Sequence, residues 1–363
     1  MSRPPRSFGP TDWRALAAAL VIGTAGGFAF DQATLPLAWL LGAMVFVTVA
    51  AAAGARIAIP FWLRAACNVV LGVLLGSGFS PDILDRLGGW AVTIIALMVY
   101  VLAIGLALAV VFRRVFGYDP VTAYFAAMPG GVVEMTMIGT EMGGDGRTIA
   151  LSHGARVVIV ALSIPLGYRF LGGYVPQGLE GLGGGLLDLG ALELVLLAAS
   201  GVLGWPVAAR LRIPAPQMTG PLLLSAIAHA TGILEAKPPA LISAAAQVGV
   251  GAAIGCTFAG VRLAMIVRTL SIASVSVGMV ILLTLAVAVL LSGLTAIPTS
   301  AIFLAYAPGG VTEMCLVALA LGLDVVFVAT HHVVRFSFVV VIAPVSARFL
   351  RRQGRSGHTV DPD

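Results

Sequence analysis

Residues 91–112, 148–170 and 272–292 are predominantly apolar runs of about 20 residues, the length at which an α-helix crosses the hydrocarbon core of a bilayer. No other feature constrains the fold as much. Backbone N–H and C=O groups in lipid must be bonded within the protein, which leaves helices or a closed barrel. Barrel strands alternate apolar and polar residues, and these runs do not. Composition agrees: 10% of the chain is charged, against about 25% in soluble domains. The expected fold class is all-α, a polytopic transmembrane helix bundle embedded in the lipid bilayer. No stretch is left over for a soluble domain.

The chain repeats itself. Pro129-Gly130-Gly131-Val132-Val133-Glu134-Met135 returns as Pro308-Gly309-Gly310-Val311-Thr312-Glu313-Met314. The same offset pairs Asn68 with Gln247, Gly72 with Gly251, Gly76 with Gly255, His153 with His332 and Arg156 with Arg335. One residue shorter, Gly23 meets Gly201, Gly26 meets Gly204 and Gly42 meets Gly220. Each half then holds six apolar segments: 13–30, 37–53, 62–79, 90–112, 121–142 and 148–171, and again 191–209, 217–234, 240–258, 270–292, 300–321 and 325–349. The expected organisation is a first membrane repeat over 13–171, a Gly-rich linker over 172–190, a second repeat over 191–350 and a disordered cytoplasmic tail over 351–363. Arg3, Arg6 and Arg14 ahead of an apolar run look like a signal peptide. The internal counterpart at 191–209 makes that run part of the fold, so cleavage is not expected.

Basic residues set the expected topology. If all six segments of each half crossed, the halves would share one orientation and Lys/Arg would divide weakly between the two sides. If the Pro-Gly-Gly segment turns back instead, the second half inverts. Sixteen arginines then fall on one side, with only Arg86, Arg169 and Lys237 opposite. The positive-inside rule favours this arrangement: two inverted repeats of five spans plus one broken, re-entrant segment each, with both termini cytoplasmic. Inverted repeats with broken helices are the usual build of secondary transporters.

The candidate site residues follow from the repeat. Proline removes a backbone donor and two glycines relax φ, so Pro129, Gly130 and Gly131, like Pro308, Gly309 and Gly310, predict a break within a helix. Amides at the start of the second half-helix suit an anion, and carbonyls at the end of the first suit a cation. Glu134 and Glu313 lie one turn into that second half-helix. They are read as substrate-binding or coupling groups, against the plainer reading that each caps its own helix. His153 and Arg156, like His332 and Arg335, share a helix face, and the glutamates are their expected partners. The functional reading is an anion clamp or a proton-coupled network. The plainer one is a structural tie. Asn68 and Gln247 are polar groups that bond across helices or touch substrate. The tryptophans near span ends are expected as interfacial anchors.

Other chemistry finds little footing. The net charge of +5 fits topology signals, so no nucleic acid partner is expected. Cys67, Cys256 and Cys315 lack CxxC spacing and read as packing residues. There is no P-loop, and His229 and His358 are isolated among five histidines, so no catalytic residue, metal or cofactor is expected and the chain is not read as an enzyme. The expected partners are a small, unidentified solute and a coupling ion, H+ or Na+; homo-oligomerisation is compatible with the pattern.

The duplicated Pro-Gly-Gly-Val-x-Glu-Met motif leading into a His-x-x-Arg helix resembles the bacterial AbrB family of membrane proteins. These carry the AbrB duplication and are distinct from the soluble DNA-binding regulator of the same name. The resemblance spans about 13–350. It implies an inner-membrane protein and brings two functional labels, regulation of gene expression and ammonia monooxygenase. It carries over no catalytic residues.

Overall fold

The computed structural model describes residues 12–79, 88–175 and 183–355. Arg3, Arg6 and Arg86, the middle of the Gly-rich link (176–182) and the tail from 356 lie outside the described residues. The described chain is helical, with fourteen α-helices and no strand. The first seven are α1 (Trp13–Gln32), α2 (Ala38–Ala52), α3 (Phe61–Gly76), α4 (Ala91–Arg114), α5 (Pro120–Ala127), α6 (Val132–Glu141) and α7 (Gly146–Phe170). The second seven are α8 (Ala191–Arg210), α9 (Pro216–Ala230), α10 (Ala240–Gly255), α11 (Leu263–Leu294), α12 (Thr299–Tyr306), α13 (Val311–Ala320) and α14 (Val325–Arg355). The boundaries repeat from half to half at the offset of the sequence repeat. The main exception is α11, which is 32 residues long where α4 has 24.

Local chemistry explains the ends. The Asp12 carboxylate accepts from the amides of Arg14 and Ala15 and starts α1. Asp119 does the same for α5, with Pro120 in the first turn where its missing N–H costs nothing. The entries to α2 and α9 share an unusual device. Leu37 and Ala215, both left-handed with φ 48° and 50°, precede the two helices. Thr34 and Arg212, at φ 50° and 56°, stand three residues before them. Non-glycine residues in this region cost roughly 1–2 kcal/mol each, so this tight entry is held by its surroundings.

Among the described residues seven helices are long and apolar enough to cross a membrane: α1, α4, α7, α8, α10 with its following turn, α11 and the first part of α14. These lengths and compositions are compatible with a multi-pass membrane protein. Helices α2 and α9, with 15 residues each, reach only about 22 Å at 1.5 Å per residue. That is short of the ~30 Å core expected of a full span.

The helices group into two compact units, and each unit takes elements from both halves of the sequence. One unit gathers α1–α3 with α8–α10. The other gathers α4–α6 and the first part of α7 with α11–α14, apart from short ends. In the first unit, glycines set the packing. Gly26 lies on the Gly42 backbone and Gly204 on that of Gly220, so α1/α2 and α8/α9 cross with main chains in contact. Gly72 meets Met218 and Gly76 meets Ser225, so α3 and α9 run in one direction. Gly251 meets Leu40 and Gly255 meets Val47, so α2 and α10 also run together.

The second unit holds both helix breaks. Trp90 corrects one expectation. It is not an interfacial anchor but 5% exposed, packed edge-on against Phe327 with ring centroids 5.3 Å apart. Trp13 and Trp62 are more than half or half exposed, as anchors would be.

Candidate functional site

The breaks fall where Pro-Gly-Gly predicts them. Helix α5 stops at Ala127 and α6 begins at Val132; α12 stops at Tyr306 and α13 begins at Val311. Met128 and Ala307 leave helical geometry at ψ 130° and 139°, as residues before proline do. The rest of the motif has a steric explanation. The Met135 side chain packs onto Gly130, and the Glu134 carboxylate folds back over Gly131. Met314 and Glu313 do the same to Gly309 and Gly310. A Cβ at either glycine of either pair would collide with these side chains. Each glutamate, in the first turn of its short helix, thus lies at the amide end where helix dipoles favour negative charge. Glu134 is half-buried, and Glu313 is 6% exposed.

The His-x-x-Arg face serves the other side of the break. The last four carbonyls of a helix have no partner within it. His153 Nε2 meets the Phe125 carbonyl at 2.9 Å, and Arg156 donates to those of Ala127 and Met128 at 3.3 Å. In the second half, His332 Nε2 meets the Leu304 carbonyl at 2.9 Å. Arg335 donates to Ala307 and Gly309 at 2.5 and 2.8 Å. A carbonyl can only accept, so Nε2 of each histidine carries the proton. Nδ1 then accepts from its own arginine, at 2.7 Å in the first pair and 2.9 Å in the second. Each imidazole is neutral as bonded. The expected glutamate partners are thus replaced in these bonds by helix-end carbonyls. The guanidinium also stands where those carbonyls would otherwise receive a metal cation.

Each break therefore has a cationic side chain at its carbonyl end and a carboxylate at its amide end. Both breaks belong to one compact unit. Phe336, next to Arg335 on α14, packs onto Gly131 of the first break, so the halves meet there.

Sequence reasoning missed a polar group beside the second break. His331 Nδ1 donates to the Phe327 carbonyl at 2.7 Å, and Nε2 meets the Thr93 hydroxyl at 2.9 Å. Tyr306 donates to the Thr93 carbonyl, and Tyr100 meets Thr284 at 2.6 Å. The available signal was a handful of hydroxyls inside otherwise apolar spans.

Asn68 and Gln247 belong to the other unit, on α3 and α10. Gln247 is 1% exposed and its Nε2 has no hydrogen-bond partner. Among the described residues no three His, Cys, Asp or Glu side chains converge as metal ligands would.

Residues 39–351 match the family described as transition state regulatory protein AbrB. The chain is similar to "Uncharacterized protein YhjN" of Bacillus subtilis (strain 168), 27% identical over 91% of this chain and 92% of the relative. It is also similar to "Putative regulator AbrB" of Escherichia coli (strain K12), 24% identical over 87% of this chain and 90% of the relative. The match over most of its length settles the family: this chain belongs to the AbrB family of polytopic helical proteins.

Proposed function

We propose that the protein is a secondary transporter or permease of a small anionic solute in a bacterial inner membrane, with both termini cytoplasmic. The observation that carries this reading is the double break, each satisfied at both ends by the chain's own ionisable groups. The carbonyl end of each break is taken by Arg156 or Arg335. The amide end is covered by Glu134 or Glu313, which a small anion can replace. A glutamate that takes up a proton loses its attraction to the amides, so an anion and a proton would move together. Glu134 and Glu313 are the coupling residues in this reading, and the histidines and arginines hold the site.

The packing of the first unit supports an inverted repeat. Ala58 bonds to the Ala15 carbonyl, and Gly23 of α1 and Cys67 of α3 both meet α10, at Val248 and Gly249. On this register α1 and α3 run together and α2 runs against them. The α3/α9 and α2/α10 pairs run parallel, so helices equivalent in sequence point in opposite directions.

The test is uptake of a panel of small anions into proteoliposomes under an inward proton gradient. The wild type should take up at least one anion in a gradient-dependent way, and Glu134→Gln/Glu313→Gln should lose that dependence. Gradient-driven uptake left intact in the double variant would sink the assignment.

The name of the Escherichia coli relative favours a second reading, a membrane-embedded regulator acting through a partner protein. It calls for a cytoplasmic partner that co-purifies with the protein and for no solute flux. Among the described residues the monooxygenase label finds no converging donor set to support it.

A further inference from the structure

Helices α2 and α9 end in the same way, but α9 carries an added side chain. Thr231, Gly232 and Ile233 donate to the carbonyls of Ile227, His229 and Ala228. At the shorter repeat offset, Ala53, Gly54 and Ala55 donate in the same pattern to Val49, Ala51 and Ala50. Gly54 and Gly232 both stand at positive φ, 86° and 71°. His229 therefore takes the place of Ala51. The loops that follow are fastened differently. In the first half the Ala58 amide bonds to the Ala15 carbonyl of α1. In the second half Leu234 is buried with Val73 of α3 and Leu197 of α8, and the His229 ring reaches the Ala236 carbonyl.

The His229 ring, 6% exposed, faces acceptors on both sides. Nδ1 meets the Ser225 carbonyl at 2.7 Å, and Nε2 meets the Ala236 carbonyl at 3.1 Å. The Ser225 hydroxyl, 3.3 Å from Nδ1, gives its proton to the Val73 carbonyl at 2.8 Å and is left as an acceptor. A neutral imidazole has one N–H, so either tautomer would set a lone pair against a carbonyl oxygen. Only the doubly protonated ring makes both bonds. His153, His331 and His332 differ, with a carbonyl at one nitrogen and an arginine or threonine side chain at the other. The last turn of α9 suits the charge, because a helix C-terminus carries about half a negative charge. Charged groups on the surrounding elements are engaged, exposed or distant. Asp188 and Glu193 accept from the amides of Gly185 and Gly190, and Glu235 and Lys237 are exposed. On α3, Arg64 and Cys67 lie more than a turn before Val73, and Arg210 ends α8 well past Leu197.

We propose that His229 is a proton-operated latch on the loop between α9 and α10. With both nitrogens protonated it ties the Ala236 carbonyl to the end of α9 and holds Leu234 down on Val73 and Leu197. Loss of one proton turns one of the two bonds into a repulsion and releases the loop. The expected topology puts Lys237, and with it this loop, on the side opposite the cytoplasm, where the pH follows the medium. The latch itself needs neither that topology nor any flux, so it stands or falls apart from the transport reading.

The test is amide hydrogen exchange of the purified full-length protein at pH 5.5 and pH 7.5, across the range in which histidine changes charge. Rates are corrected for the pH dependence of exchange in an unstructured peptide. The amides of Ile233 and Leu234, both bonded to the Ala228 carbonyl, report on the latched loop. The amide of Ala55, bonded to the Ala50 carbonyl, reports on the equivalent loop without a histidine. Protection of Ile233 and Leu234 should fall about tenfold between the two pH values, the worth of one charged hydrogen bond. Protection of Ala55 should not change. His229→Gln, neutral at both pH values, should give the low protection throughout. If that variant does not fold, the comparison of the two loops within the wild type decides alone. Unchanged protection of residues 231–239, an equal change in both loops, or a pH dependence that survives in His229→Gln overturns the proposal.

Discussion

The two helix breaks share one motif and one mode of fastening, yet their surroundings differ. In the first, Arg156 reaches its carbonyls at 3.3 Å, Glu134 is half-buried, and a cavity opens beside Ser152. In the second, Arg335 reaches its carbonyls at 2.5 and 2.8 Å, Glu313 is 6% exposed, and His331 occupies the equivalent space. Duplication gave both halves the fastening. Substitutions around it left one break loose and made the other tight. The looser break is the one with open space beside it, about 10 Å³, enough for a single water.

The largest test of this contrast removes the fastening. Arg335→Ala should cost about 3–5 kcal/mol, the sum of two charged hydrogen bonds left unmade at buried carbonyls. Arg156→Ala should cost less, because its bonds are longer. Thermal unfolding of the two variants side by side checks the order, and equal losses would erase the distinction. His331→Ser should cost about 2–3 kcal/mol by opening a cavity and removing one of the two hydrogen bonds of the Thr93 hydroxyl, which keeps the one to the Trp90 carbonyl. The resulting protein would have two loose breaks, and a small-molecule probe of the new void reports whether it is one.

The glycines sharpen the comparison further. Gly131→Ala and Gly310→Ala should each cost about 1–3 kcal/mol through overpacking. A Cβ at Gly310 meets Glu313, whereas one at Gly131 meets both Glu134 and the Phe336 ring. Adding Glu313→Ala should therefore rescue Gly310→Ala, and adding Glu134→Ala should rescue Gly131→Ala only in part. A double-mutant cycle in each half measures this. The smallest effect is expected at the cap of α7. The Thr148 hydroxyl, which bonds to the Asp145 carboxylate, holds that carboxyl below the usual carboxylate range. Its stabilising contribution is present above the ordinary aspartate pKa of about 4 and is lost as pH falls through the lower folded value. Asp145→Ala should cost about 1 kcal/mol at neutral pH, and less in acid, in a pH series of melts.

Much of this architecture was legible in the chain itself. Apolar runs located the helices, and Pro-Gly-Gly located both breaks to within a residue or two, because proline and glycine act locally. The partners of Arg156 and Arg335 were not legible. Their acceptors are main-chain carbonyls, which every residue has, so no side chain marks them. Gly72, Gly76, Gly251 and Gly255 announced close packing but not which helix each would meet. For the same reason the sequence repeat did not foretell compact units that each combine both halves. Ser152 and His331 stand at equivalent positions of the repeat, and what that difference does depends on the opposing α4 and α11.

One mechanical consequence follows from the way α5 ends. Its carbonyl rim is fastened by His153 and Arg156 to the long helix α7, while its link to α6 is a proline and two glycines. The joint is a hinge with one leaf bolted to a beam. Rotation at the glycines would leave the bolted leaf in place, with α5 held to α7. A crosslink from α5 to α7 would then restrain nothing, and one from α5 to α6 would stop the hinge.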